Sequence, residues 1–121
     1  MNQTPDLEKR IEEAGLLIES IKNQVKRVLV GQGELLDSLV LALICDGHIL
    51  LEGVPGLAKT LAIKALARTV KTGFSRVQFT PDLLPADLIG TRIFDPKTSE
   101  FHTHKGPIFS NFVLADEINR A

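Results

Sequence analysis

The chain has 121 residues, of which 44% are apolar, and it carries 14 basic residues against 15 acidic ones. This size and apolar content suit one globular domain and exclude a disordered tail. The net charge is −1 and neither sign forms a long block, so neither nucleic acid nor an anionic membrane is expected as the main partner.

The cysteine content and the N-terminus bear on where the protein works. Cys45 is the only cysteine, so no disulfide can form within the chain, which favours a reducing, cytoplasmic setting. The polar stretch Met1 to Glu8 carries two acids, which does not suit a secretion signal. The longest apolar stretch, Leu35 to Cys45, is far shorter than the roughly 20 residues that span a bilayer. We therefore predict no membrane insertion.

A long amphipathic helix is predicted at the N-terminus. Thr4 can cap it, while Pro5 and Asp6 suit its first turn. Apolar residues then recur alternately four and three apart along one face: Leu7, Ile11, Ala14, Ile18, Ile21, Val25 and Val28. We interpret residues 1–29 as a helix that packs on the core and residues 30–121 as that core, with a coiled coil as the less favoured alternative.

Helices and strands are then predicted in alternation. Glu34 to about Asp46 is apolar on nearly every side, which is typical of a buried helix. Ile49 to Leu51 is a continuous apolar run, which indicates a short strand covered on both faces in a parallel sheet. A further helix should begin near Lys59 and end before Gly73, and Phe74 to Thr80 should form another strand.

The stretch Gly53 to Thr60 has the layout of a phosphate-binding loop. It departs from the pattern G-x-x-x-x-G-K-[ST] at one position, where Ala58 replaces the second glycine. Lys59 supplies an ammonium for the phosphates, and Thr60 offers a hydroxyl to Mg²⁺. Because alanine requires a negative φ, we predict that Ala58 already lies in the following helix. The alternative is a glycine-rich turn in which Lys59 is merely solvated.

A β-hairpin is predicted in the second half of the chain. Two prolines restrict residues 80–88 to a short helical turn. Residues 91–94 and 100–104 flank a cluster of turn-forming residues, which is the pattern of a hairpin. His102 and His104 would share a face, but a zinc ion needs three or four protein ligands. We interpret them as a solvated pair.

A second chemical signal is the apolar strand Phe112 to Ala115, which ends in Asp116 and Glu117. An aspartate at the carboxyl end of a strand can hold Mg²⁺, generally through water, and the adjacent carboxylate can activate a water for attack on the terminal phosphate. An acidic turn after a buried strand is the alternative. Because this signal occurs together with the phosphate loop, we favour nucleotide hydrolysis, with Glu117 and Lys59 as catalytic residues.

Three stretches of the chain resemble the MoxR family of AAA+ ATPases: Leu51 to Thr60, Gln78 to Asp87 and Leu114 to Ala121. The resemblance covers about Val28 to the last residue. It implies an α/β fold of the P-loop NTPase (AAA+) type, a three-layer sandwich with a parallel sheet. That fold would be preceded by the N-terminal amphipathic helix and would be incomplete at the C-terminus.

The resemblance also implies ATP and Mg²⁺ as cofactors. Thr60 and Asp116 should hold the metal, Asp116 through water, and Glu117 should be the catalytic base. Val30, Gly31 and Gln32 should lie near the adenine. The residues expected to contact the nucleotide are Val30, Gly31, Gln32, Gly53, Val54, Pro55, Gly56, Leu57, Ala58, Lys59, Thr60, Leu61 and Asp116.

Members of this family form rings, often hexamers, and act as chaperone-like ATPases that remodel or assemble partner proteins, frequently ones with a von Willebrand factor A domain. The hairpin at residues 91–104 falls where this clade carries an insertion thought to touch substrate or partner. The polar sensor, the arginine finger and the helical lid are expected downstream of residue 121. The sensor strand would be the central neighbour of Ile49 to Leu51, so the isolated chain is expected to be inactive.

Two alternative functions differ from this hypothesis in the residues that they require. The first is a nucleotide-gated binding module, which would have no need of a base such as Glu117 beside Asp116. The second is a GTPase switch, which is disfavoured because the guanine-binding pattern Asn-Lys-x-Asp does not occur in the sequence.

Overall fold

The computed structural model describes residues 4–53 and 56–121. The predicted nucleotide contacts of Val54 and Pro55 lie outside the described residues. The chain divides into two compact units, Met1–Lys71 and Thr72–Ala121, which are described separately below as the first and second units.

The first unit is built from three helices: α1 (Thr4–Lys26), α2 (Gly33–Ile44) and α3 (Gly56–Thr69). Each of the three helices packs against the other two. The side chains at the centre of this core are Val25, Leu36 and Leu66, which are all but fully buried. The predicted order of helices along this part of the chain is therefore confirmed.

The apolar stripe of α1 is buried only toward its C-terminal end. Val25 is fully buried, whereas Leu7 and Ile11 are 55% and 63% exposed. Within this unit α1 therefore packs against the other helices mainly through its C-terminal part. The reason is length: at 1.5 Å per residue α1 is about 34 Å long, whereas α2 and α3 are about 18 and 21 Å long and cannot cover it. The helix also ends at Lys26, before the last predicted member of the stripe.

An ion pair joins α1 to α2 at the surface. The ammonium of Lys22 lies 2.8 Å from Oδ1 of Asp37. The hydrogen bond to Asp37 raises the pKa of Lys22, and the same bond lowers the pKa of Asp37. Because this pair is open to solvent, the apolar contacts contribute more to holding the helices together.

Helix α2 buries one face and exposes the other. Leu36 and Leu39 are buried against the other helices, whereas Leu41 and Ile44 are 61% and 58% exposed. The prediction that α2 is covered on nearly every side is therefore wrong. Helices α1 and α3 cover one face of α2, and the apolar composition of the sequence does not reveal which face that is.

The strand predicted at residues 49–51 is not formed. Ile49 and Leu50 are 40% and 72% exposed, and no strand of the described residues pairs with this segment. A strand persists only when its backbone N–H and C=O groups find partners on a neighbour. Without such a ladder the segment has no regular structure.

The second unit contains a parallel pair of strands and an antiparallel hairpin. Its elements in chain order are β1 (Phe74–Gln78), α4 (Pro85–Ile89), β2 (Gly90–Asp95), β3 (Glu100–Lys105), β4 (Phe112–Asp116) and a 3₁₀ turn (Ile118–Arg120). Strand β1 pairs with β4 in parallel, and β2 pairs with β3 in an antiparallel hairpin. The predicted hairpin, the short helical turn and both strands of the parallel pair are confirmed.

The base of the hairpin depends on two glycines that approach other backbone closely. Gly90 has φ = 103°, which side chains rarely allow. The N–H of Gly106 donates to the carbonyl of Ile89 at 3.0 Å. A Cβ on Gly106 would collide with the carbonyl of Leu88. These contacts join the hairpin to α4, and only glycine fits there.

We predict that Gly106→Ala destabilises the protein by about 1–3 kcal/mol, because the backbone must shift to accept the added methyl group. Gly73→Ala is the matched control, since a Cβ at Gly73 would meet nothing within 4 Å. Urea denaturation followed by circular dichroism measures both variants. Equal free energies of unfolding for the two variants would show that the close approach at Gly106 is not a constraint on folding.

Candidate functional site

Helix α3 has its N-terminus within the predicted phosphate loop. The helix begins at Gly56, so Ala58 lies inside its first turn, and the prediction for this position is confirmed. The first turn of α3 contains no acidic residue, so no carboxylate of that turn offsets the positive end of the helix dipole. Leu57 is 84% exposed. Such a terminus is suited to binding an anion such as a phosphate.

Gly53 supplies a left-handed bend at the start of the loop. Its φ is 69°, and a Cβ built there would meet nothing within 4 Å. The requirement for glycine at this position is therefore conformational and not steric.

Lys59 and Thr60, the predicted phosphate and metal ligands, lie half-buried in the same turn. The hydroxyl of Thr60 donates to the carbonyl of Gly56 at 3.0 Å. A hydroxyl oxygen keeps its acceptor lone pairs when it donates, so this bond is compatible with Thr60 ligating a metal ion.

A cavity of about 280 Å³ lies in the same unit, between the end of α1 and the start of α2. All three residues predicted to lie near the adenine, Val30, Gly31 and Gln32, line it. Leu29 and Leu36 contribute buried apolar side chains to its wall. An apolar cavity with a few polar groups is the usual form of a small-molecule site.

Leu61 lines a different cavity, of about 290 Å³, between the end of α1 and the exposed face of α3. It shares that cavity with Val28 and Ala65. Nothing in this geometry brings Leu61 to the cavity at Gly31, so its contact with a nucleotide stays a prediction.

The acidic pair of the second unit follows directly from β4. Asp116 is the last residue of the strand and is only 7% exposed. Glu117 adopts the left-handed helical conformation, with φ = 53° and ψ = 41°. A non-glycine residue held in a sparsely populated backbone region costs about 1–3 kcal/mol, and such residues cluster at functional sites.

Asp116 is held through both its side chain and its backbone. Arg76 Nη2 donates to Asp116 Oδ2 at 2.6 Å. The N–H of Phe79 donates to the backbone carbonyl of Asp116 at 2.9 Å. Both donors come from β1 or the residue after it, so the parallel pair itself fixes this carboxylate.

The carboxylate of Glu117 also has two neighbours. Gln78 Nε2 donates to Glu117 Oε2 at 3.3 Å. Arg120 Nε lies 3.5 Å from the same oxygen. The side chain remains partly open to solvent, which a group that orients a water requires.

Arg76 and Gln78 were not among the predicted site residues. Alternate residues of a strand share one face, so the sequence places these two side chains together. Their position beside Asp116 and Glu117 depends on the parallel register, in which Gln78 is opposite Asp116. The alternation of side chains along β1 could have predicted that Arg76 and Gln78 share a face. The register between β1 and β4, which places them beside the acidic pair, could not be predicted from the sequence pattern.

The residues present suit Mg²⁺ by their chemistry. Among the described residues no group of three or more His, Cys, Asp or Glu side chains could hold a metal ion. Mg²⁺ is usually bound by only one or two carboxylates together with phosphates of the substrate, so a lone buried carboxylate such as Asp116 is sufficient. Thr60 in the first unit and Asp116 in the second each offer the hard oxygen that this ion prefers.

The sequence of the chain matches a known family. The profile of the "ATPase family associated with various cellular activities (AAA)" matches residues 48–121. The chain belongs to this AAA family of ATPases. An α/β fold of the P-loop NTPase type is thereby confirmed, with an open parallel sheet and a preceding N-terminal helix.

Relatives of the chain connect it to MoxR proteins. The chain is similar to "Chaperone MoxR1" of Mycobacterium tuberculosis, with 57% identity over 98 residues that cover 81% of the chain and 26% of the relative. It is also similar to YeaC of Bacillus subtilis, an uncharacterized protein, with 47% identity over 86% of the chain and 32% of that relative. The predicted resemblance to the MoxR family is confirmed.

A solved structure is also similar to this AAA chain. The crystal structure of a protein from Cytophaga hutchinsonii, assigned as an ATPase, matches with a TM-score of 0.77 and 50% identity. The match covers 93% of this chain and 35% of that one. The chain thus spans about a quarter to a third of the length of the proteins it matches. In the described part of the chain, no helix combines the length and apolar character that crossing a membrane requires.

Proposed function

We propose that these 121 residues bind ATP and Mg²⁺ for a MoxR-type AAA+ ATPase, and that the whole protein hydrolyses ATP. The observation that carries this proposal is the acidic pair at the end of β4, where a buried Asp116 is followed by a strained, hydrogen-bonded Glu117. Family membership and the N-terminus of α3, whose first turn contains no acidic residue, support it independently.

Within this proposal the first unit binds the nucleotide. The N-terminus of α3 and Lys59 bind the phosphates, since backbone N–H groups and a flexible ammonium both attract negative charge. Gly53 to Thr60 form the loop, and Val30 to Gln32 contact the adenine. Lys59 also stabilises the charge that develops on the transferred phosphoryl group, which makes it a catalytic residue.

The second unit supplies the acidic groups. Asp116 and Thr60 are proposed as the residues that hold Mg²⁺, Asp116 through water. The metal ion, when bound, neutralises charge on the phosphates. Glu117 orients a water for in-line attack on the terminal phosphate and accepts its proton.

The alternative is a nucleotide-gated binding module with little turnover. Such a module needs Asp116 for the metal but has no use for Glu117. Glu117 is kept in an unfavourable backbone conformation and contacted by Gln78 and Arg120. These two contacts position the carboxylate of Glu117, which supports a catalytic role over a purely switching one.

The properties of the whole protein are proposed from its relatives. One relative is named a chaperone, which supports a role in remodelling or assembling partner proteins. We propose a cytoplasmic, ring-shaped homo-oligomer, often a hexamer in this family, with proteins containing von Willebrand factor A domains among its clients. The division into a helix at residues 1–29 and a core at residues 30–121 is part of this proposal. The inactivity of the isolated chain is also part of this proposal.

The hairpin of β2 and β3 is the proposed contact for a partner protein. Phe94 and Phe101 are 49% and 59% exposed, and their ring centroids lie 5.2 Å apart. Arg92 lies over the ring of Phe101, with Cζ 5.0 Å from its centroid. Exposed aromatic and arginine side chains are enriched at protein interfaces, which supports this assignment.

The catalytic assignment is tested with two variants of the whole protein. We expect Lys59→Ala to abolish ATP binding, because the phosphates lose their ammonium. We expect Glu117→Gln to retain binding and to lower turnover by about 10²- to 10⁴-fold, the usual contribution of a positioned base. Lys9→Ala, at an exposed lysine of α1, is the control that should change neither quantity.

Binding is measured with a fluorescent ATP analogue and turnover by phosphate release. Equal turnover in the wild type and in Glu117→Gln would remove Glu117 from the mechanism and favour the binding module. Unchanged ATP affinity in Lys59→Ala would contradict the assignment of the phosphate loop.

The hairpin assignment is tested by replacing its tip, Pro96 to Ser99, with Gly-Ser residues. The tip is exposed, so the melting temperature and the affinity for ATP should stay nearly unchanged while capture of the partner protein weakens. Thermal unfolding, nucleotide titration and co-purification measure the three quantities. A large loss of thermal stability would show that the tip belongs to the folded core.

A further inference from the structure

The environment of Asp116 contains a residue whose role the proposed mechanism does not include. Among residues 4–53 and 56–121, Asp116 is the one charged or polar residue that is buried. A buried carboxylate needs a compensating charge and hydrogen-bond donors. Arg76 supplies both, through the bond of 2.6 Å from Nη2 to Oδ2.

The position of Arg76 is set by the sheet. In the parallel register Arg76 is opposite Leu114, and Gln78 is opposite Asp116. Arg76 and Asp116 therefore share one face of the pair as diagonal neighbours, a spacing that a long side chain can bridge. The bond from the N–H of Phe79 to the carbonyl of Asp116 fixes the backbone beside the carboxylate. The sheet thus determines where the carboxylate lies, and Arg76 determines how it is rotated.

We propose that Arg76 is a positioning residue for the Mg²⁺ site: by holding the carboxylate of Asp116 in one orientation, it raises the affinity for nucleotide in the presence of Mg²⁺. This inference rests on the proposed function, because it requires Asp116 to bind the metal. Residues that orient the ligands of a metal typically contribute 10- to 100-fold to metal affinity or activity.

The ion pair does not exclude the metal from Asp116. A carboxylate offers about four acceptor sites, so a hydrogen bond from Arg76 is compatible with water or metal at the same group. The side chain of Arg76 is also 45% exposed, against 10% for that of Asp116. The guanidinium therefore pairs with the buried carboxylate without itself being buried.

The geometry also distinguishes arginine from lysine at this position. A guanidinium is planar and presents several donors in a fixed arrangement, so it fixes the plane of a carboxylate. An ammonium is a compact charge that does not fix that plane. Arg76→Lys should therefore keep the positive charge beside Asp116 but fix the orientation of its carboxylate only in part.

The test measures binding of a fluorescent ADP analogue to the whole protein, with Mg²⁺ and with EDTA. We expect Arg76→Met to raise the Kd in Mg²⁺ by about 10- to 100-fold and to leave the Kd in EDTA unchanged. Arg76→Lys should lie between the wild type and Arg76→Met. Arg10→Met, at an exposed arginine of α1, is the control and should bind as the wild type does under both conditions.

A double-variant cycle separates positioning from a general loss of folding. Arg76→Met leaves the carboxylate of Asp116 without its guanidinium, whereas the combination with Asp116→Asn removes both charges together. If Arg76 acts through Asp116, then Arg76→Met should add nothing to the loss of Mg²⁺-dependent affinity already seen in Asp116→Asn.

Three results would overturn the inference while leaving the proposed function in place. The first is an Arg76→Met variant with the affinity of the wild type in Mg²⁺. The second is an equal loss in Mg²⁺ and in EDTA, which would indicate a structural role. The third is an additive effect in the double variant. A wild-type protein whose affinity does not depend on Mg²⁺ would instead overturn the proposed function, and this inference with it.

Discussion

The candidate site of the second unit depends on the parallel pairing of β1 with β4. This register places Arg76 diagonal to Asp116 and Gln78 directly opposite it. A shift of one residue would move every side chain of β1 to the other face and remove both donors from the acidic pair. The ladder therefore does more than bury Val77 and Leu114, because it also supplies the donors of the site. The register of β1 with β4 is therefore required both for core packing and for the proposed chemistry.

A second constraint is the abrupt end of β4. Asp116 is still in the ladder and buried, whereas Glu117 turns into the left-handed region and leads into the 3₁₀ turn that ends at Arg120. Consecutive carboxylates would point to opposite faces of a continuing strand. The turn gives the two carboxylates different environments, one buried and paired, the other partly open. Two acids with separate tasks, holding a metal and orienting a water, need such a difference.

Local sequence patterns predicted much of this structure, and the failures have a common cause. The helix containing Ala58, the hairpin and β4 were predicted correctly because turn residues, the conformational limits of alanine and apolar runs are local signals. The strand at residues 49–51 was predicted and is not formed, since a ladder needs a neighbour that a local pattern cannot guarantee. The partners Arg76 and Gln78 were missed for the same reason, because they depend on register. How much of the apolar stripe on α1 is buried depends on how far the neighbouring helices extend, which a local pattern does not give. For Lys59, Thr60 and Glu117, the chemistry of the side chains was enough to predict candidates.

We propose that the phosphate loop binds the phosphates of ATP and that the acidic pair binds Mg²⁺ and orients a water. Hydrogen exchange of the whole protein, followed by mass spectrometry with and without Mg²⁺ and a slowly hydrolysed ATP analogue, tests it most directly. We expect slower exchange at residues 53–60 and also at residues 112–117, with the second effect lost when EDTA replaces Mg²⁺. Slower exchange at residues 53–60 alone, with residues 112–117 unchanged in Mg²⁺, would contradict it.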